Sequence, residues 1–323
     1  MDLRQALFEM AAEHRLDAAG LRRLEQLAGL ESEPDGLASA LPRSVAALAA
    51  ALGGLGIVFW IAANWQTLGR FGRFALLEGF VVAMCAGALW RPSARGPLGL
   101  LAVLAIGGLF AYFGQTYQTG ADPWQLFAVW AALALPFCIA ARSDVLWAPW
   151  ALITMTGISL WVRAHTGHSW RIQSDDLSAH LSGWLGALVL VAILSAPCRR
   201  YTGAGQWALR TALALAAVMI TTTAIGALVG GQALLHYGLG LLVLAGAAVM
   251  LARAEAFDVF GLSAVALGLD SLLIGGLAYA LFHNLHNDGW FLALLLTGLA
   301  AAGLVAATVS ALLHLSRHRA APP

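Results

Sequence analysis

The sequence predicts an all-α fold: a polytopic membrane bundle of about ten transmembrane helices, with a short N-terminal helical hairpin. Three observations carry that expectation. Of 323 residues, 60% are hydrophobic and only 11% charged, and the mean hydropathy is +0.77. Soluble domains carry about 25% charged residues. From Ser44 onward, apolar stretches alternate with short polar breaks, each long enough to approach the roughly 20 residues a spanning helix needs.

Charge and cysteine usage narrow the function. The formal net charge is +1, which gives no case for nucleic acid, and the lipid bilayer is the expected partner. All 18 basic residues are arginine. Without lysine there is no phosphate-loop lysine and no Schiff-base chemistry. Cys85, Cys138 and Cys198 are too few and too scattered for a disulfide framework. They read as reduced structural thiols, and no cofactor is expected.

Residues 1–43 form the first segment. Leu3, Leu7, Met10 and His14 make one amphipathic stripe. Asp17 is a good helix N-cap, and Leu21, Leu24 and Leu27 make a second stripe behind it. Glu31 to Gly36 reads as a linker. Two such short helices cannot fold alone. Residues 1–36 are therefore expected to bind the membrane body, a protein partner or a second copy.

The membrane segment is expected over residues 44–316, with 317–323 as a short tail. Spans are placed at 44–63, 71–90, 98–114, 124–141, 145–162, 181–197, 208–230, 235–252, 257–282 and 290–315, and the break after Arg142 is short enough for a tight helical hairpin. With the N-terminus inside, fourteen arginines fall on cytoplasmic segments, and Arg70, Arg73, Arg163 and Arg171 fall on the opposite face. That asymmetry orients both termini toward the cytoplasm of a bacterial inner membrane. Trp60, Trp65, Trp124, Trp161 and Trp290 then line the outer interface, and Trp90, Trp147 and Trp207 the inner one.

A short motif recurs in the odd spans: Ala51 to Leu55, Ala105 to Leu109, Ala224 to Leu228 and Leu273 to Leu277 each place one or two glycines between apolar residues. Asp122-Pro-Trp124 and Asp288-Gly-Trp290 open the following spans. Parallel repeats over 44–142 and 208–316, with 145–197 inserted, would account for this. Chance similarity in a Gly-, Ala- and Leu-rich chain is the plainer account.

Several elements together resemble a known family. Gly56 to Trp65 ends in Ala-Ala-Asn-Trp, Arg70 to Leu77 follows, and Gly114-Gln-Thr-Tyr-Gln118 precedes Asp122, Leu126-Phe127, Trp130 and Leu135-Pro136. Over about residues 1–145 the chain resembles the bacterial predicted membrane proteins catalogued as domain of unknown function 2157. The resemblance implies a multi-pass inner-membrane protein and brings no activity, ligand or catalytic residue with it.

Polar groups at membrane depth are costly, so they are the first candidates for function. Asp270 falls near the middle of the ninth span and Glu78 within the second, with no arginine at comparable depth. A carboxyl desolvated there is expected to take up a proton or a cation, or else to serve packing alone. By depth, Glu78 is the one carboxyl expected to share a cavity with Asp270. A second cluster lies at the outer ends of spans: Asn64, Gln115, Tyr117, Gln118, Asp122, Gln232, Asn284 and Asp288. It suits a neutral polar or zwitterionic ligand, although helix capping explains such residues equally well.

Six of nine histidines map to the outer face: His165, His168, His180, His236, His283 and His286. His165/His168 and His283/His286 have HxxH spacing, with Asp288 beside the second pair, which suits a divalent metal weakly. HExxH and GxSxG are absent, and Gly268-Leu-Asp270 lacks the second aspartate element of an intramembrane protease. The expected function is a transporter or permease-like protein for a small polar solute or ion, possible proton linkage included. A non-transporting scaffold, sensor or assembly factor is the alternative, and an intramembrane enzyme comes third.

Overall fold

The computed structural model describes residues 9–10, 12–14, 16–17, 19–20, 23, 37–64, 67, 69–117, 120–167, 172–231, 234–253, 257–284 and 289–320. All regular structure among them is helical. Residues Met1–Ala49 and Ala50–Pro323 are separate compact units.

In the first unit, Glu9, Met10, Ala12 and Glu13 are helical and the chain turns at His14. Ala19 and Gly20 are helical, and the Gly20 N–H donates to Asp17 Oδ1 at 2.8 Å. Asp17 is thus the N-cap its side chain predicts, satisfying a backbone donor that the first turn leaves unpaired. Leu3, Leu7, Leu21, Leu24 and Leu27 lie outside the described residues.

Ten helices among the described residues are long and apolar enough to cross a membrane. They are α1 (Leu37–Ala63), α2 (Arg70–Trp90), α3 (Arg95–Tyr117), α4 (Pro123–Ala141), α5 (Asp144–His165), α6 (Leu177–Leu194), α7 (Gln206–Gly230), α8 (Leu234–Leu251), α9 (Val259–Asn284) and α10 (Trp290–Ala320). They match the expected spans in number and order. Three ends differ by more than three residues from expectation: α1 starts at Leu37 and runs through Pro42, α6 starts at Leu177, and α10 runs on to Ala320. Helix α6 stops at Leu194, because Pro197 falls in a 3-10 turn, Ala196–Cys198. The hairpin after α4 is as tight as expected: Arg142 is left-handed (φ 47°), and Ser143 caps α5 by accepting from the Val145 N–H.

Helix α7 is the axis of the second unit. Half of its most apolar stretch is buried, against 6% for α2 and α10. It packs on α5, α6, α8 and α9, while α3 packs on α2, α4 and α5, and α10 on α9. Alanines face inward along α7 (Ala208, Ala212, Ala216, Ala217, Ala224, Ala227). Small side chains let neighbouring backbones approach, which is how helices gain contact where lipid already satisfies apolar surface.

Aromatic donors tie the helices laterally. Trp130 Nε1 donates to the Val103 carbonyl at 2.8 Å, joining α4 to α3, and Trp150 Nε1 donates to the Ala131 carbonyl at 2.8 Å, joining α5 to α4. Tyr237 Oη donates to the Leu272 carbonyl at 2.9 Å, joining α8 to α9. In two cases a glycine one turn later makes the room: the Trp130 ring lies against Gly107, and the Tyr237 phenol against Gly276. These bonds satisfy polar tips that would otherwise be stranded in an apolar interior. Trp147 departs from the expected interfacial belt. It is 1% exposed, sits edge-on to Trp150 and donates to the Thr202 carbonyl at 3.0 Å. A turn carbonyl thus takes the place of a headgroup. Trp60, Trp90, Trp207 and Trp290 are exposed, as a belt requires.

The arginine-rich end is built from carboxylates that cap helices. Asp144, opening α5, accepts from the Gly205 and Trp207 N–H groups at 2.6 and 2.8 Å and so caps α7. Gly203 is left-handed (φ 69°) with the Arg142 side chain crowding its α-carbon, so a side chain there meets both strain and a clash. Arg142 Nη2 reaches across to donate to the Arg200 carbonyl at 2.6 Å.

Candidate functional site

Asp270 lies in the interior of α9 and is 5% exposed. The two faces of α9 differ. Gly268 lies against Thr221 and Leu244, Gly275 against Ile225, and Gly276 against Tyr237, so this glycine face meets α7 and α8. The carboxyl instead meets α10, where Thr308 Oγ1 donates to Asp270 Oδ1 at 3.0 Å. Ser263 and Ser271 donate back to the Val259 and Leu267 carbonyls of their own helix. No salt bridge reaches Asp270 among the described residues.

Glu78 does not share this site. It is exposed on α2, a helix that packs on α3, whereas Asp270 is buried in the α9–α10 contact. Depth alone groups the two carboxyls. Depth does not fix the direction a side chain takes around its helix.

The polar cluster at the opposite end from the arginine-rich one is divided. Gln115 and Asp122 line one groove of about 770 Å3 between α3 and α4, together with Gln125. Tyr117 turns away toward α2, its ring 4.7 Å from Phe113 and 6.1 Å from Phe74, with the Arg70 guanidinium 5.8 Å above it. Asn64 closes α1 by donating to the Trp60 carbonyl at 2.9 Å. Gln118, Gln232, Asp288 and the Asn284 side chain lie outside the described residues.

Of the HxxH pairs, one member each is described. His165 is exposed and stacked on Trp161 at 4.2 Å, with Nδ1 2.8 Å from the Trp161 carbonyl. His283 is exposed and stacked on Tyr279 at 5.3 Å. His168, His286 and Asp288 lie outside the described residues. Among the described residues, no three metal-ligating side chains cluster.

Sequence reading missed three pairings. Asp144 with the α7 N-terminus is one, and His180 with His236, whose buried rings meet at 5.2 Å across α6 and α8, is another. The third is Asp258 with Arg210. Asp258 accepts the Gly261 N–H at 2.8 Å, capping α9, and receives Arg210 Nη2 and Nε at 2.7 and 3.0 Å. Burial alone would push the Asp258 carboxyl up, but the Arg210 hydrogen bonds, the Gly261 N–H and the Arg210 and Arg199 charges hold it below the ordinary value. The partners in these pairs are 48 to 63 residues apart, and no local pattern links them. The one available signal was that each acid or imidazole opens a span.

Residues 9–147 match the family described as predicted membrane protein (DUF2157), the segment in which the Ala-Ala-Asn-Trp and Gly-Gln-x-Tyr-Gln elements lie. No curated protein and no solved structure matches the chain.

Proposed function

We propose that this multi-pass membrane protein is a transporter or permease-like protein for a small polar solute or ion, with Asp270 as its proton- or cation-binding carboxyl. The observation that carries the reading is the placement of that group. A carboxyl in the interior of a span, buried and hydrogen-bonded to a hydroxyl, with no salt bridge to it among the described residues, is costly to keep for packing alone. Membrane carboxyls held in this way are the usual groups of proton relays and ion pathways. The carboxyl lies at the contact between α9 and α10, where Thr308 reaches it. The arginine asymmetry supports a bacterial inner-membrane location with both termini cytoplasmic.

The test uses vesicles loaded with a pH-indicator dye, into which the full chain is reconstituted, with a potassium diffusion potential as driving force. Wild type is expected to move protons faster than empty vesicles, and Asp270→Asn to abolish the difference while folding normally. Equal proton movement in the two proteins overturns the carboxyl's role. The scaffold alternative draws on one observation, the indole-to-carbonyl bonds that fix α3, α4 and α5 laterally, and it predicts no proton movement in either protein.

A further inference from the structure

His180 and His236 make a second buried polar locus, on helices that the site above does not use. Each lies in the first turns of its helix, α6 and α8, and they are 6% and 1% exposed. The rings stand at 80° to each other with centroids 5.2 Å apart. His180 Nδ1 is 3.0 Å from the Asp176 carbonyl oxygen. A carbonyl can only accept, so Nδ1 carries the proton and the lone pair is left on Nε2. This is how a metal-binding imidazole is usually held, with a carbonyl on its other nitrogen fixing tautomer and ring orientation.

The ring spacing has a geometric meaning. With metal–nitrogen bonds of about 2.0–2.1 Å, a tetrahedral centre places two imidazole centroids about 5.2 Å apart, whereas a linear one places them about 6.3 Å apart. The observed separation agrees with the tetrahedral case, and tetrahedral centres tolerate ring planes that are nearly perpendicular. We infer that His180 and His236 bind a first-row transition-metal ion of the borderline class to which Zn2+ belongs. Imidazole nitrogen suits these ions, and hard cations such as Mg2+ prefer oxygen.

No third histidine, cysteine or carboxylate joins the pair among the described residues, and the pair by itself supplies two of the four ligands of a tetrahedral centre. Such a site is weaker than a closed structural zinc site. On the same helices, Trp184 of α6 and Leu244 of α8 belong, with Ile220 and Ala224 of α7, to one buried apolar cluster. To one side, His180 borders a groove of about 660 Å3 between α5, α6 and α7, which Thr156, Ser159, Thr222 and Thr223 supply with hydroxyls. Binding here involves neither Asp270 nor the HxxH pairs, and it stands whether or not the chain moves protons.

The experiment titrates tag-free, chelator-treated full-length chain in detergent with Co2+, reading the visible absorption of tetrahedral cobalt, and then displaces it with Zn2+. One ion per chain is expected. His180→Gln and His236→Gln should each weaken binding at least about tenfold, while His165→Gln and His283→Gln leave it unchanged. Absence of the cobalt spectrum in wild type means an aromatic contact only, and overturns the proposal. So does undiminished binding in both buried-histidine variants. If the glutamine variants fail to fold, His180→Cys keeps a ligand in place. A thiolate-to-cobalt charge-transfer band in that variant supports the site, and a folded Cys variant without the band overturns it.

Discussion

Asp258 and Asp270 are twelve residues apart in sequence, and their surroundings give them opposite tasks. Asp258 caps α9 and holds Arg210, and these partners keep its carboxyl below the ordinary value. A group held down in the folded state contributes stability that is present above its unfolded value of about 3.9 and is lost as pH falls through the folded value. The melting temperature of wild type is therefore expected to fall below about pH 4, and Asp258→Asn should flatten that acid limb. Arg210→Gln leaves a partly buried carboxylate short of its strongest donors and is expected to cost about 1.5–3 kcal/mol at neutral pH, read as a lower melting temperature in detergent. An unchanged acid limb in Asp258→Asn contradicts this assignment. Asp270 was legible in the sequence because an acid inside an apolar run stands out. Its partner Thr308 was not, since a threonine 38 residues away in another span carries no mark of the pairing. Glu78 shows the same limit from the other direction: the sequence gives its depth, while its exposure follows from the face of α2 it occupies.

At the scale of elements, hydropathy locates spans well and ranks them poorly. Lipid-facing and buried surfaces are both apolar, so nothing in composition separates the central α7 from the peripheral α2 and α10. The recurring glycine motif gives more. Gly53 and Gly107 occupy the same place in it, yet Gly53 has open space where a side chain would go, and Gly107 has the Trp130 ring. Gly107→Val is therefore expected to destabilise the bundle by about 1–3 kcal/mol, as overpacking does, while Gly53→Val changes the melting temperature little. Equal effects would mean that the Trp130–Gly107 contact does not govern the approach of α3 and α4. Deleting residues 1–36 is a separate matter. Those residues are expected to serve association, so the shortened chain should insert normally but shift to a smaller species in light scattering. Loss of insertion would show that they belong to the folded bundle instead.

For the molecule as a whole, ten spans would place both ends of the bundle on one side of the membrane. A reporter fused after Pro323 should read cytoplasmic, and one inserted at Asp175, in the turn before α6, should read periplasmic. The same side for both would remove the topology on which the arginine argument rests. The claim that Asp270 carries a proton is tested most directly by infrared titration of the reconstituted chain, which reads the carbonyl stretch of protonated carboxyl groups as pH is raised. The account predicts a band in wild type that disappears with rising pH and is missing from folded Asp270→Asn at every pH. An identical titrating band in the Asn variant would assign the proton to another group and contradict the account.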